Sequence, residues 1–246
     1  MIQNGPILLL IETSTEVCSV ALSSGDKVIG SRVSREPKSH ARVVAPMVDE
    51  LLSDSTFEMS SIDAVVVSEG PGSYTGLRVG VSLAKGLCFG SSKPLIAVSS
   101  LELLYNLAIE HICKGLLPGV DISSSFFVVP MIDARRMEVY CAVFNQSGER
   151  LEEVQAKVVD ENSFKSYTGR GVTVFCGDGS SKVKEVIRDS NALFIDIESV
   201  ARGMLKTALD RYYNKKFEDV AYFEPFYLKD FIAGISKKGA LGLSQK

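Results

Sequence analysis

The sequence predicts an α/β fold built from two similar lobes, and three observations support this prediction. Short apolar runs typical of strands buried on both faces alternate with segments of helical periodicity. In each half of the chain a group of strands joined by tight turns comes first, and helices follow. In each half, too, one buried strand leads directly into a glycine-rich turn that opens a helix. This repetition suggests a duplicated unit.

The first hundred residues predict a strand meander followed by helices and further strands. The predicted strands are residues 7–11, 17–22, 27–33, 64–67 and 93–98. The first helix, over residues 40–52, has apolar residues spaced by three and four, and a second helix is predicted over 77–89. A third helix begins after Ser99, which forms a potential capping box with Glu102, and continues towards His111.

The second half repeats this order with shorter helices. Its predicted strands are residues 126–132, 137–144, 151–159, 172–176 and 192–197. One helical stretch is expected from Ser181 to Arg188, and Ser199 is expected to cap another that ends near Tyr213. Residues 236–246, rich in Gly, Ser and Lys, are predicted to be a mobile tail. The predicted units are therefore residues 1–103, 104–220 and a C-terminal segment, 221–246.

Composition excludes several classes of protein. With 246 residues, 46% of them hydrophobic, and 23% charged, the chain has enough apolar material for real cores and is not disordered. A net charge of −3 argues against a protein that grips nucleic acid by itself. Five cysteines without a CxxC pair indicate free thiols, hence a cytoplasmic protein. No segment has the ~20 apolar residues of a membrane span.

The two glycine-rich turns are candidate anion sites. Each places a helix N-terminus, with unpaired N–H groups, directly after a buried strand. Neither matches a Walker A loop or the dinucleotide GxGxxG spacing. For the first turn, an ordinary tight connection is therefore an equally good interpretation. For the second turn it is the better one. Together with the end of the first strand, they could face a nucleotide cleft. The candidate nucleotide residues are Glu12, Thr13, Ser14, Gly70, Gly72, Gly177, Asp178 and Gly179.

The helix after the first turn carries small residues at a spacing of four. Gly76, Gly80, Ala84 and Cys88 line one of its faces, which would let another element approach closely. Glycine inside a helix costs roughly 0.5–1 kcal/mol relative to alanine, so packing must offset that cost. The spacing does not decide whether the packing is internal or with another chain.

Metal-dependent and nucleophilic catalysis are disfavoured by the residues present. The two histidines, His40 and His111, have no neighbouring His or Cys at ligand spacing, and no GxSxG or HExxH motif occurs. We therefore predict neither catalytic nor metal-binding residues. The turn from Asp133 to Arg136 could bind an anion, although adjacent unlike charges in a hairpin are usually a solvated turn.

Four segments resemble the TsaB (YeaZ) family: Ile11–Thr15, Glu69–Gly80, Ile132–Tyr140 and Glu224–Leu228. The resemblance implies an actin-like (ASKHA, ribonuclease H-like) fold with two lobes. It also implies a role in placing threonylcarbamoyl on the adenosine beside the anticodon of tRNAs that read codons beginning with A. In such systems the partners are a catalytic paralogue, TsaD, and an ATPase, TsaE.

The resemblance also places functional positions on this sequence. The HxxxH metal pair of the catalytic paralogue falls at about Ser100 and Leu104, which cannot replace two imidazoles. Glu12 stands where many relatives carry Asp, so a nucleotide role there carries over weakly. The resemblance also implies that the two predicted helices over residues 40–52 and 77–89 pair with the catalytic paralogue or form a homodimer. The predicted partner interface is His40, Val44, Met47, Leu51, Gly76, Gly80, Ala84 and Cys88.

These observations favour a non-catalytic scaffold of a tRNA threonylcarbamoyl transferase complex. No cofactor is expected to be required, and ATP or ADP is expected to bind weakly at most. The chain is expected to contact tRNA mainly as part of the complex. Lysines at 215, 216, 229, 237 and 238 are a weaker candidate tRNA patch. On this hypothesis Gly80→Leu blocks partner association and leaves the fold intact. The enzyme alternative is a small ATP-dependent phosphotransferase using Glu12, Gly72 and Asp178, and a metallopeptidase is disfavoured.

Overall fold

The first predicted lobe is a five-stranded mixed sheet. The computed structural model describes residues 5–229. The strands are β1 (Ile7–Glu12), β2 (Cys18–Ser24), β3 (Lys27–Ser34), β4 (Ala64–Gly70) and β5 (Leu95–Ser99). They lie in the order β3-β2-β1-β4-β5, in which β1, β2 and β3 are antiparallel and β4 and β5 run parallel to β1. The predicted antiparallel meander is confirmed.

The second lobe repeats this topology. Its strands are β6 (Phe126–Asp133), β7 (Glu138–Asn145), β8 (Arg150–Val158), β9 (Val172–Cys176) and β10 (Ala192–Ile195). They lie in the order β10-β9-β6-β7-β8, with an antiparallel meander β6-β7-β8 and with β9 and β10 parallel to β6. Strand for strand, the connectivity and directions are those of the first sheet. The predicted α/β fold with two duplicated lobes is therefore confirmed.

Six α-helices are present in the described part of the chain. The first lobe carries the long ones: α1 (His40–Ser53), α2 (Tyr74–Ser91) and α3 (Ser100–Cys113). The second lobe contributes α4 (Lys165–Thr168), α5 (Ser180–Lys184) and α6 (Leu205–Tyr213), and two 3-10 turns cover Met59–Ser61 and Ala201–Met204. No described helix has both the length and the apolar character needed to cross a bilayer.

The core is organised around strands that are buried on both faces. In β1 every residue is buried, so the alternation of the strand sends Leu8 and Leu10 to one side and Ile7, Leu9 and Ile11 to the other. The second side packs against α1 and α2. The first side forms a larger core with α3 and one face of the second sheet. Most residues of α3 are apolar, which agrees with the burial of this helix on most of its faces.

Three predicted helix boundaries are wrong. Helix α2 begins at Tyr74 rather than residue 77, because the hydroxyl of Ser73 accepts a hydrogen bond from the Gly76 N–H and the apolar pattern starts a turn later. Helix α5 ends at Lys184, after which the chain continues in turns. Ser199 caps no helix within residues 5–229, and the Ala201 N–H donates instead to the hydroxyl of Ser19 in β2 (2.8 Å).

The predicted capping box of α3 is half formed. The hydroxyl of Ser99 accepts from the Leu101 N–H (3.3 Å), as expected for an N-cap residue. Glu102, however, accepts a hydrogen bond from the guanidinium of Arg211 in α6 (3.1 Å). A partner 109 positions away in the sequence therefore takes the place of the local one.

The C-terminal segment, as far as Lys229, lies against the first lobe. The Phe226 N–H donates to the carbonyl oxygen of Glu69 (2.7 Å). Lys85 in α2 donates to the carbonyl oxygens of Ala221 and Phe223 (3.1 and 2.9 Å). Residue 103, the predicted boundary between the lobes, lies inside α3. The predicted mobile tail at 236–246, with Lys237 and Lys238, lies outside the described residues.

Candidate functional site

The first glycine-rich turn is filled by the chain itself. After β4 the backbone passes through Gly70 and Gly72 to Ser73, whose N–H donates to the carbonyl oxygen of Ser14 (2.7 Å). A Cβ atom placed on Gly72 would lie 2.3 Å from that same oxygen. At Gly70, which has φ +111°, it would lie 2.8 Å from the carbonyl oxygen of Phe226. These glycines therefore serve close approach of the backbone to neighbouring segments.

The small-residue face of α2 packs internally, which corrects the predicted partner interface. Cβ atoms placed on Gly76 and Gly80 would lie 2.1 Å from the Thr13 carbonyl oxygen and 2.2 Å from Thr13 Oγ1. Ala84 and Cys88 are fully buried in the core of the first lobe. These four residues face the turn after β1 and their own sheet, so they are not available to another chain.

The predicted interface residues of α1 are mostly internal as well. Val44, Met47 and Leu51 are buried in the same core. The ring nitrogen Nε2 of His40 lies 2.9 Å from the carbonyl oxygen of Thr15. Of the four, Val44 also lines the floor of a groove that opens outward. The apolar periodicity of α1 is therefore explained by its core face.

The outer surface of α1 and α2 forms a shallow groove of about 390 Å³, which we call the α1–α2 groove. Farther along α2, Gly86 and Gly90 are exposed, and a Cβ atom on either would meet no neighbouring segment of the described chain within 4 Å. With Ser82 they form an outward stripe spaced by four. Sequence analysis missed this stripe, although the spacing was visible. The groove is lined by Ala41, Val44, Ala45, Arg78, Val79, Ser82 and Leu83.

The second glycine-rich turn is likewise packed against protein. Gly177 has φ +94°, and a Cβ atom there would lie 2.2 Å from the Met131 carbonyl oxygen. The Gly179 N–H donates to that oxygen (3.2 Å). Asp178 accepts a hydrogen bond from the Asp133 N–H (3.0 Å), so it is engaged by the turn between β6 and β7.

Glu12 is a buried carboxylate at the end of β1. Its Oε1 accepts a hydrogen bond from the Ser14 N–H (2.5 Å). Its Oε2, and the hydroxyls of Thr13, Ser14 and Ser68, have no hydrogen-bond partner among the described residues. Burial raises the pKa of Glu12, the hydrogen bond from the Ser14 backbone offsets part of this rise, and the Asp178 carboxylate adds a smaller rise. Burial also raises the pKa of Asp178. The structure thus brings the two predicted acidic residues of the cleft together.

The two positions at which the resemblance places the metal pair do not fit a metal. Ser100 and Leu104 are both fully buried at the start of α3, and Leu104 belongs to the central core. One of its methyl groups would lie 2.9 Å from a Cβ atom on Gly177. Within residues 5–229 no group of three His, Cys, Asp or Glu side chains is arranged to hold a metal ion. Ser100 offers one hydroxyl and Leu104 only an alkyl group, so these two residues cannot replace a pair of imidazole ligands.

Known proteins resemble this chain over most of its length. The family model described as "TsaD: tRNA N6-adenosine threonylcarbamoyltransferase" matches residues 34–236. The tRNA threonylcarbamoyladenosine biosynthesis protein TsaB of Escherichia coli K12 is 30% identical over 237 residues, which cover 92% of this chain and 96% of that protein. TsaB of Bacillus subtilis is 36% identical over 155 residues, 63% of this chain and 61% of that one.

A solved structure shares the fold as well. YeaZ from Pseudomonas aeruginosa superposes with a TM-score of 0.76 at 26% identity, covering 91% of this chain and 100% of that one. The match includes both duplicated sheets, because it extends over nearly the whole chain.

Proposed function

The chain belongs to the TsaB (YeaZ) family, and on this premise we propose that it is the non-catalytic subunit of a tRNA threonylcarbamoyladenosine-forming complex. In this proposal it supports a TsaD-type subunit that transfers threonylcarbamoyl to the adenosine beside the anticodon. The tRNAs concerned read codons that begin with A. A TsaE-type ATPase is the third protein, and the chain forms a homodimer when alone.

One observation carries the non-catalytic assignment. Ser100 and Leu104, where the resemblance places the metal pair of the catalytic paralogue, are both fully buried, and Leu104 belongs to the central core. Ligands are therefore missing at the point where the paralogue would hold its metal, and the surrounding space is filled by side chains. A scaffold needs no such site, so the proposal includes no required cofactor.

The α1–α2 groove and the outward stripe Ser82, Gly86 and Gly90 support a docking role on the outer face. Exposed glycines inside a helix cost about 0.8–1 kcal/mol each relative to alanine. At Gly80 internal packing accounts for the glycine, but at Gly86 and Gly90 no contact within residues 5–229 does. Small side chains let a second helix approach closely, so we propose that the TsaD-type subunit, or a second copy of this chain, packs here.

The competing proposal is a small phosphotransferase that binds ATP in the cleft. It is not favoured, because Gly70, Gly72 and Gly177 lie against the chain's own carbonyl oxygens. A phosphate cradle needs free backbone N–H groups, and the Ser73 N–H at the head of α2 is already bonded to Ser14. We propose that this chain binds ATP or ADP weakly at most, and calorimetry with ATP and Mg²⁺ measures the affinity.

Association with the TsaD-type subunit tests the docking surface. Ser82→Arg should abolish co-elution in gel filtration, because it places a long charged side chain in the groove. Ser190→Arg is the matched control, since Ser190 is also exposed but lies in the turn between α5 and β10. Unchanged co-elution of a folded Ser82→Arg chain would remove this surface from the proposal.

A further inference from the structure

The turn between β6 and β7 presents two neighbouring arginines in an unusual backbone conformation. Arg135 and Arg136 have φ of +71° and +48°, in the left-handed region. Residues other than glycine and asparagine rarely adopt it, since the side chain crowds the backbone. Glycine or asparagine would adopt this backbone conformation at a lower conformational energy than arginine. The side chains of these arginines therefore need a reason beyond forming the turn.

A lysine side chain donates three hydrogen bonds to this turn. The Nζ atom of Lys182 in α5 donates to Asp133 Oδ1 and to the carbonyl oxygens of Arg136 and Glu138, at 2.7, 2.8 and 2.7 Å. The side chain of Lys182 is only 17% exposed. Asp178 also accepts a hydrogen bond from the Asp133 N–H. The two arginines thus lie in a turn whose backbone and acidic residue are held by hydrogen bonds from the rest of the second lobe.

The guanidinium groups have no partners within the described chain. The acidic neighbours that could hold them are already paired, Asp133 with Lys182 and Glu138 with Lys229. Arg135 and Arg136 are both exposed, and neither makes a side-chain hydrogen bond or ion pair to residues 5–229. Most other arginines of the chain are engaged: Arg32, Arg35, Arg42, Arg150, Arg202 and Arg211 form ion pairs.

We propose that this turn, the Arg135–Arg136 hairpin, binds RNA phosphate groups when the complex engages its tRNA. The inference rests on the proposed function, which brings an RNA to the complex. Guanidinium forks bind phosphate oxygens through paired hydrogen bonds, and consecutive phosphates of a strand suit two adjacent forks. Such contacts position an RNA without reading its sequence. The net charge of −3 limits the contact to this local feature.

The test compares two double substitutions of equal charge in the complex with the TsaD-type subunit. Arg135→Gln with Arg136→Gln removes the forks. Lys27→Gln with Lys206→Gln is the control, because both lysines are exposed, make no side-chain hydrogen bond or ion pair within residues 5–229, and lie outside the lysines considered above for tRNA binding. Filter binding of a tRNA substrate is measured over a series of salt concentrations. A third variant, Arg135→Lys with Arg136→Lys, keeps the charge and loses the forks.

The arginine double variant should bind tRNA on the order of tenfold more weakly at 0.1 M salt, while the lysine control stays unchanged. The slope of log affinity against log salt should fall by roughly 1 for each arginine. The Arg→Lys variant should lie in between. Equal weakening by both Gln variants, or unchanged affinity of the arginine variant, would overturn the proposal.

The same samples separate this inference from the function on which it rests. If the wild-type chain fails to co-elute with the TsaD-type subunit or to raise tRNA modification, the proposed function fails. If the wild type succeeds and the arginine variant instead loses only the ATPase subunit, the hairpin binds protein and the RNA contact is refuted. Retained co-elution and an unchanged Tm show that the arginine variant is folded.

Discussion

Two glycines on opposite faces of α2 make the packing argument testable. A Cβ atom on Gly80 would lie 2.2 Å from Thr13 Oγ1 and 3.3 Å from two carbon atoms of that side chain. At Gly86 the same addition meets no neighbouring segment within 4 Å in the part of the chain that the structure describes. Gly80→Leu and Gly86→Leu are therefore the same chemical change in one helix, made once against the core and once towards solvent.

The two changes should move stability in opposite directions. Leucine is a far better helix former than glycine, so Gly86→Leu should stabilise the isolated chain by about 0.8–1 kcal/mol. For a protein of this size the Tm should rise by roughly 2–3 °C. Gly80→Leu forces a side chain into a filled space, and overpacking of this kind costs about 1–3 kcal/mol. Its Tm should fall, which corrects the expectation that this variant leaves the fold intact.

Thermal unfolding and co-elution with the TsaD-type subunit together give the assay. Gly86→Leu should melt at or above the wild-type temperature yet lose association, because the new side chain blocks close helix approach. Gly80→Leu should lose stability first and association only as a consequence. A Gly86→Leu chain that associates normally would refute the outward docking stripe, and a Gly80→Leu chain as stable as wild type would refute the internal packing.

Three further predictions follow from the buried groups and the hairpin. Burial raises the folded-state pKa of Glu12, so the wild type loses stability as the pH rises from the ordinary pKa of 4.5 through the raised pKa. Glu12→Gln should therefore have a higher Tm than the wild type at pH 8, and the difference in Tm should shrink towards pH 4. Of the five thiols only Cys113 is exposed, and burial raises the pKa of Cys141 to about 12, so a thiol reagent at pH 8 should label one cysteine in the native chain and five after denaturation. Replacing Arg135 and Arg136 by glycine should raise the Tm by about 2 °C, since glycine tolerates a positive φ, whereas an unchanged or lower Tm would contradict strain in the turn.

Local patterns were sufficient to predict most of the fold. The apolar run of β1 predicts a doubly buried strand, and the repetition of strand, glycine turn and helix predicts the duplicated topology. Boundaries failed where tertiary contacts replaced local ones. The Ala201 N–H is capped by Ser19, 182 positions away, and Glu102 pairs with Arg211 rather than with its own helix terminus. No short-range signal encodes such partners.

The site was harder to predict because spacing identifies a helix face but not what covers it. Gly76 and Gly80 have the same sequence signature as Gly86 and Gly90. Only the position of Thr13 against the first pair shows which face is internal. Similarly, the adjacent unlike charges at Asp133–Arg136 predict a solvated turn, and no local signal shows that Lys182 and Lys229 pair with the acidic residues Asp133 and Glu138.

Reconstitution of tRNA modification tests the central claim most directly. The TsaD-type and TsaE-type proteins are assayed with a substrate tRNA, threonylcarbamoyl donor and ATP, with and without this chain. The proposal predicts that modification depends on the chain, and that the chain alone forms no product. Full activity in its absence, or product formed by the chain alone, would contradict its assignment as a required, non-catalytic subunit.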